Sequence, residues 1–153
     1  MDRFATMAPR RWGLAAAWNA VVLLASFGGL SAQHTGSIVV AILHRIAPTL
    51  DASTVATIHF GIRKLAHLTE YGILSALYTN AQRAAGDASF RARWSAIAVA
   101  FCATTAVLDE WHQSFVPSRT GTPRDVAIDI VGAALAQLAC FLYWRRNVAA
   151  IRT

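Results

Sequence analysis

The chain has 153 residues, about the length of one domain. Hydrophobic residues make up 56% of it and charged residues only 14%, whereas soluble domains carry about 25% charged residues. So little charge argues against an ordinary soluble enzyme, and so much apolar side chain argues against a disordered protein. With a mean hydropathy of +0.42, the composition favours an integral membrane protein.

The net charge is +6, from 14 Lys and Arg residues against 8 Asp and Glu residues. The basic residues stand at the edges of long apolar runs, as in membrane proteins, and form no continuous stripe. No nucleic-acid partner is therefore predicted. Cys102 and Cys140 lie inside apolar runs, where thiols behave as small hydrophobic groups, so no disulfide framework is predicted.

Four segments are long and apolar enough to cross a membrane, because about 20 residues at 1.5 Å each span the hydrocarbon. They cover residues 12–30, 64–82, 94–113 and 123–144. The first follows a basic run and resembles a signal peptide. Its apolar stretch exceeds the roughly 7–15 residues of a signal core, however, so a retained helix is favoured.

The connector between the first two segments contains a short apolar piece at residues 37–46. It is too short to cross and precedes Pro48, which predicts an interfacial or re-entrant helix. Ser53 is the expected N-cap of a helix that runs straight into the second segment, and Gly61 is a candidate kink.

These elements predict an all-α integral membrane four-helix bundle, with one or two short interfacial helices in the first extracytoplasmic connector. The chain forms a single domain, residues 1–153, and both termini lie on one side. That side carries more basic residues, so the positive-inside rule places both termini in the cytoplasm. The basic residues on the predicted cytoplasmic side are Arg3, Arg10, Arg11, Arg83, Arg91, Arg93, Arg145, Arg146 and Arg152. Those on the opposite side are Arg45, Arg63, Lys64, Arg119 and Arg124.

Ionisable and polar residues concentrate at the predicted outer ends of the last three segments. They are Lys64, His67, Glu70, Asp109, Glu110, Gln113, Arg119, Asp125 and Asp129. An ionisable side chain costs about 2.5–3.5 kcal/mol at the bilayer centre and less near its edge, and it is tolerated when paired or hydrated. The convergence therefore predicts an extracytoplasmic polar pocket with a function.

Three roles remain open for this pocket. His67 and Glu110 are candidate catalytic acid–base groups, since a histidine near carboxylates has a tunable pKa. The same residues, with Lys64 and Arg119 meeting an anionic group, are candidates for binding a lipid headgroup. The third role is a polar network that only holds the helices together. Tyr71, on the face of Lys64 and His67, is interpreted as a packing residue.

Asp125 has a simpler explanation, because it follows Thr122 and Pro123 at a predicted helix start. An acidic residue there is typical of helix capping. Asp129 lies one turn deeper, where capping does not explain it. No compact His/Glu ligand spacing occurs, so no metal site is predicted, and no phosphate or dinucleotide fingerprint indicates a cofactor.

Two motifs resemble the VanZ-like family of small bacterial membrane proteins. Residues 64–74 (KLAHLTEYGIL) are similar to its K-x-x-H-x-x-x-Y-x-x-L, and residues 109–132 (DEWHQSFVPSRTGTPRDVAIDIVG) to its longer second motif. Residues that match position by position are Lys64, His67, Tyr71, Asp109, Glu110, Gln113, Pro117, Arg119, Asp125 and Gly132. Asp129 departs from the family, which usually has Asn there.

The resemblance covers residues 12–144 and implies a protein of the bacterial cytoplasmic membrane that acts at the cell envelope. The family takes its name from a protein associated with teicoplanin resistance, so glycopeptide resistance is an expectation here. The leading hypothesis is an accessory protein that binds an envelope lipid or lipoglycopeptide among membrane lipids. The alternatives are a membrane enzyme that modifies an envelope lipid and a structural subunit with no ligand. The sequence does not identify a partner protein.

Overall fold

The computed structural model describes residues 3–26, 32–83, 91–115 and 121–151, and every regular element in those ranges is an α-helix. The helices are α1 (Arg3–Ser26), α2 (Ala32–Ile46), α3 (Ala52–Gln82), α4 (Ala92–Gln113) and α5 (Pro123–Ile151). The predicted all-α fold is confirmed. The four long helices correspond to the four long apolar segments, and α2 to the short helix predicted in the connector.

Two of the helices are long and apolar enough to cross a membrane by length and composition. They are α4 and the Pro123–Arg146 part of α5. The helix α3 is longer than α4, but its sequence is less apolar because it includes the charged residues Arg63, Lys64 and Glu70. The residues 27–30, predicted to end the first segment, lie outside the described part of the chain.

The start of α3 differs from the predicted one. Asp51, rather than Ser53, is the N-cap: its side chain accepts a hydrogen bond from the backbone N–H of Thr54, at 2.9 Å. The Ser53 hydroxyl instead donates to Asp51. Hydrogen bonds from Ser53 and Thr54 hold the pKa of the exposed Asp51 carboxyl well below its usual range. As predicted, α3 then continues without a break through Gly61 into the second segment.

The helix α3 lies at the centre of the molecule and contacts all four others. It is antiparallel to α1, since Trp12 packs near Tyr78 while Trp18 Nε1 donates to the Glu70 carbonyl at 3.0 Å. It is antiparallel to α4 as well, because Gln82 Nε2 donates to the Trp94 carbonyl, at 3.1 Å, near the start of α4.

The helices α3 and α5 are parallel. Lys64 pairs with Asp125 near the start of the contact, and Arg83 stacks over Trp144 near its end, with 3.7 Å from the guanidinium carbon to the ring centroid. They approach closely at Gly132, where an added Cβ would overlap the carbonyl group of Leu68. Glycine at this point lets the two backbones touch, as small residues do between membrane helices.

Further along the α3–α5 contact, three buried polar side chains form a hydrogen-bonded clamp. Gln137 Nε2 donates to the Ser75 hydroxyl at 2.6 Å and to the Ser75 carbonyl at 3.1 Å. Gln137 Oε1 accepts from the Thr79 hydroxyl at 3.0 Å. Buried polar groups are costly unless hydrogen-bonded, so these pairings fix how α3 and α5 rotate against each other.

The outer surface is apolar where the interior is partly polar. Large hydrophobic side chains are exposed on several helices, among them Leu14, Leu65, Val107, Leu138 and Tyr143. Asp129, Ser75 and Thr79, in contrast, are fully buried. A soluble domain shows the opposite distribution, and this one suits a lipid environment.

Candidate functional site

Three helices bring the predicted site residues to one end of the bundle. Because α5 is parallel to α3 and α4 is antiparallel to it, the start of α5 and the end of α4 meet the middle of α3. We call these residues the polar end cluster: Lys64, His67, Glu70, Tyr71, Asp109, Glu110, Gln113, Asp125 and Asp129. Arg119 and Pro117 fall in residues 116–120, which lie outside the described part of the chain.

Two contacts between basic and acidic side chains join α3 and α5, one helical turn apart. Lys64 Nζ contacts Asp125 Oδ1, and one turn further His67 Nδ1 lies 3.3 Å from Asp129 Oδ1. The spacing of three residues on α3 and four on α5 keeps both pairs on facing sides of parallel helices. Arg63 Nη2 also approaches Asp125, at 3.9 Å.

Asp125 occupies the predicted first turn of α5, where its backbone N–H donates to the Thr122 carbonyl at 3.0 Å and to the Thr122 hydroxyl at 3.3 Å. Thr122 therefore caps the helix, as its position in the sequence predicts. The Asp125 carboxylate pairs with Lys64. Lys64, which the sequence analysis expects to meet an anionic ligand, thus forms an ion pair with Asp125 in this structure.

Glu110 connects the end of α4 to the start of α5. Its Oε2 accepts a hydrogen bond from the backbone N–H of Thr122, at 2.7 Å. Gly121 packs against the Glu110 carbonyl so closely that an added Cβ would overlap it. Beside it, Asp109 Oδ2 accepts from Gln113 Nε2 at 2.8 Å, one helical turn away. Glu110, Asp109 and Gln113 are all buried.

Several buried oxygen atoms in the cluster have no hydrogen-bond partner among the protein atoms that the structure describes. They are Glu110 Oε1, the Tyr71 hydroxyl and both carboxylate oxygens of Asp129, whose contact with His67 is electrostatic. Tyr71 and Asp129 are each 0% exposed. Native proteins satisfy most buried polar atoms, so a group of such oxygens in one place requires an explanation.

Tyr71 belongs to the cluster more directly than the sequence suggests. It packs in the hydrophobic core, as predicted, but its hydroxyl is also buried without a hydrogen-bond partner among the described protein atoms. The signal in the sequence was its spacing, since residues 64, 67 and 71 share one face of a helix. Glu70, on the same helix, is half-buried.

The cluster is rich in carboxylates. It holds five of them, on Glu70, Asp109, Glu110, Asp125 and Asp129, against the permanent cation of Lys64 and the titratable His67. Arg63 and the exposed Arg124 lie at its border. Within the described residues, no group of three or more His, Cys, Asp or Glu side chains is arranged to hold a metal ion.

Comparison with known proteins gives one match. The family model described as VanZ/LLP1 matches residues 12–144, which is most of the chain and includes the whole polar end cluster. No curated protein and no solved structure matches the chain.

Proposed function

The chain belongs to the VanZ/LLP1 family, and from this we propose that it is a membrane protein of the bacterial cell envelope whose polar end cluster binds a lipid headgroup or a lipid-linked ligand. The observation that carries the proposal is the set of buried oxygen atoms without hydrogen-bond donors on Tyr71, Glu110 and Asp129. Burying such atoms costs free energy that a bound polar group would offset.

In the proposed topology α1, α3, α4 and α5 cross the cytoplasmic membrane and both termini lie in the cytoplasm. The apolar outer surface and the alternating directions of the four helices support this arrangement. The greater number of arginines on the side of the termini also supports it. The polar end cluster then lies on the extracytoplasmic side at the edge of the hydrocarbon, where headgroups are within reach.

Glycopeptide resistance is the phenotype proposed for this binding activity. A teicoplanin-sensitive host would express wild type, Glu110→Gln or Arg119→Ala, with equal membrane levels checked by blot. We expect wild type to raise the inhibitory concentration and both variants to lose that protection. The matched control is Thr104→Val, whose hydroxyl bonds only the Ala100 carbonyl on an exposed face of α4. Well-expressed variants as protective as wild type would contradict the proposal.

A second candidate function is acid–base catalysis on an envelope lipid, favoured by the His67–Asp129 contact. A buried carboxylate beside Nδ1 orients an imidazole and leaves Nε2 to exchange a proton with a substrate. His67→Gln would then abolish a change in lipid composition that wild type produces, measured by mass spectrometry of extracted lipids. An unchanged lipid profile on expression of wild type would leave binding as the better candidate.

A further inference from the structure

We infer that the group taken by the polar end cluster is a protonated primary amine carried on an amphiphile's headgroup, such as the ethanolamine of a phospholipid. The inference rests on the proposed binding function and narrows its ligand. It differs from the anionic group that the basic residues of the sequence suggest.

Charge is the first argument. The described cluster has an excess of carboxylates, and the cation within it, Lys64, is paired with Asp125. Arg63 and Arg124 lie at its border: Arg63 approaches Asp125 at 3.9 Å, and Arg124 is exposed. An anionic headgroup inside the cluster would therefore meet the buried carboxylates of Asp109, Glu110 and Asp129, and like charges in a buried site repel. A cation would reduce the repulsion among these carboxylates.

Hydrogen-bonding capacity is the second argument. Glu110 Oε1 and Asp129 Oδ2 are acceptors that lack donors in the described structure, whereas Asp129 Oδ1 already faces His67 Nδ1 at 3.3 Å. An ionised carboxylate can only accept. The Tyr71 hydroxyl is fully buried and also lacks a partner in the described structure. A primary ammonium group brings three N–H donors, which matches these acceptors.

The same chemistry separates a primary amine from other cations. A trimethylammonium group has no N–H donor and is recognised by aromatic rings rather than by carboxylate oxygens. A divalent metal needs several ligands around one point, and in the described ranges no three His, Cys, Asp or Glu side chains gather in that way. A primary ammonium group needs fewer acidic side chains, because two carboxylate oxygens and the Tyr71 hydroxyl accept its three N–H groups. The attachment of the amine to a lipid follows from the apolar surface that surrounds the cluster, including exposed Leu65, Leu108 and Trp111.

Lipid retention by the full chain tests this inference. The purified protein would be equilibrated with equal amounts of phosphatidylethanolamine, phosphatidylcholine and phosphatidylglycerol of identical acyl chains, and retained lipids counted by native mass spectrometry. We expect wild type to retain phosphatidylethanolamine over either competitor by about tenfold, equal to about 1.4 kcal/mol.

Three variants locate the binding. Asp129→Asn, Glu110→Gln and Tyr71→Phe each remove one acceptor or hydroxyl with little change of volume, and we expect the preference for phosphatidylethanolamine to fall to at most about twofold. Asp51→Asn is the matched control, because Asp51 is an exposed carboxylate at the α3 N-cap outside the cluster. Circular dichroism and gel filtration would show that each variant is folded, and Tyr71→Phe serves if the carboxylate variants are not.

The outcomes distinguish this inference from the proposed function. Equal retention of the ethanolamine and choline lipids would contradict the inference that the cluster binds a primary amine. So would a preference for phosphatidylglycerol that depends on Arg119, although headgroup binding would then stand. If wild type and the cluster variants retain every lipid equally, both the inference and the proposed binding function are wrong.

Discussion

Gly132 of α5 lies against the backbone of Leu68 on α3, with no space between them for a Cβ atom. On the other side of the contact, a Cβ at Gly72 would lie 3.4 Å from the Gly132 carbonyl, which is ordinary contact. The crossing of the two parallel helices therefore depends on one glycine. Asp129 lies within one turn of Gly132 and Asp125 about two turns away, so the distance between α3 and α5 sets the geometry of this part of the polar end cluster.

Gly132→Ala should force α3 and α5 apart, because the atoms that it meets are backbone and cannot rotate away. We expect a loss of about 1–3 kcal/mol, the usual cost of overpacking, measured by thermal unfolding in detergent. Gly13→Ala is the matched control, since nothing lies within 4 Å of an added Cβ there. That variant should be neutral or slightly stabilising; equal melting of the two variants would show that the close approach is absent.

Two substitutions at Asp129 should distinguish the contribution of its charge to stability from that of its volume. Asp129→Ala leaves a cavity and an unpaired His67, which we expect to cost about 3 kcal/mol. Asp129→Asn keeps the volume and places the residue usual in the family, so its melting temperature should stay close to wild type. Thermal unfolding of both variants checks this. A loss for Asp129→Asn as large as for Asp129→Ala would mean that the charge itself holds the helices together.

The Ser75–Thr79–Gln137 clamp should contribute measurably to stability. Gln137→Leu removes the side chain that bonds both partners, and hydrogen bonds between membrane helices are worth about 0.6–1.7 kcal/mol each. We expect a loss of about 1–2 kcal/mol in detergent unfolding. Thr104→Val, which removes an exposed hydroxyl bonded only within α4, should change little. A variant at Gln137 that melts with wild type would show that the clamp contributes nothing.

Acid should weaken the α3 N-cap. The hydrogen bonds of Ser53 and Thr54 lower the pKa of Asp51 below its unfolded value, so the stabilisation is fully present above about pH 4 and is lost as the pH falls through the folded pKa. Asp51→Asn keeps a capping side chain that does not titrate. We expect the melting-temperature difference between wild type and Asp51→Asn to shrink on acidification below about pH 4. A difference independent of pH would contradict the cap.

Much of the fold follows from patterns within single segments. The predicted start of the last span at residue 123 coincides with the start of α5, since a threonine, a proline and an acidic residue stand at its cap, first turn and third position. The end of the third span at residue 113 coincides with the end of α4. The predicted N-cap of α3, Ser53, was wrong by two residues. Asp and Ser are both good N-caps, and only the backbone geometry selects Asp51.

The pairing of charges was not predictable in the same way. The sequence shows that Lys64, Asp125 and Asp129 approach one end of the bundle, but the choice of partner depends on how α3 and α5 rotate against each other. That rotation is set by Gly132 and by the clamp at Gln137, which are contacts between residues about 60 positions apart. The contact of Lys64 with Asp125 is therefore visible only in the structure, and the role of Lys64 in ligand binding stays a prediction.

The parallel pairing of α3 with α5 has a consequence for how the chain is made. Lys64 and Asp125 are 61 residues apart, so α3 leaves the ribosome before its partner exists. At about 5–20 residues per second this delay is on the order of 3–12 seconds. During that time the charged half of α3 lacks the carboxylates that neutralise it. A chain truncated before α5 would therefore leave Lys64 and His67 without their α5 partners, Asp125 and Asp129.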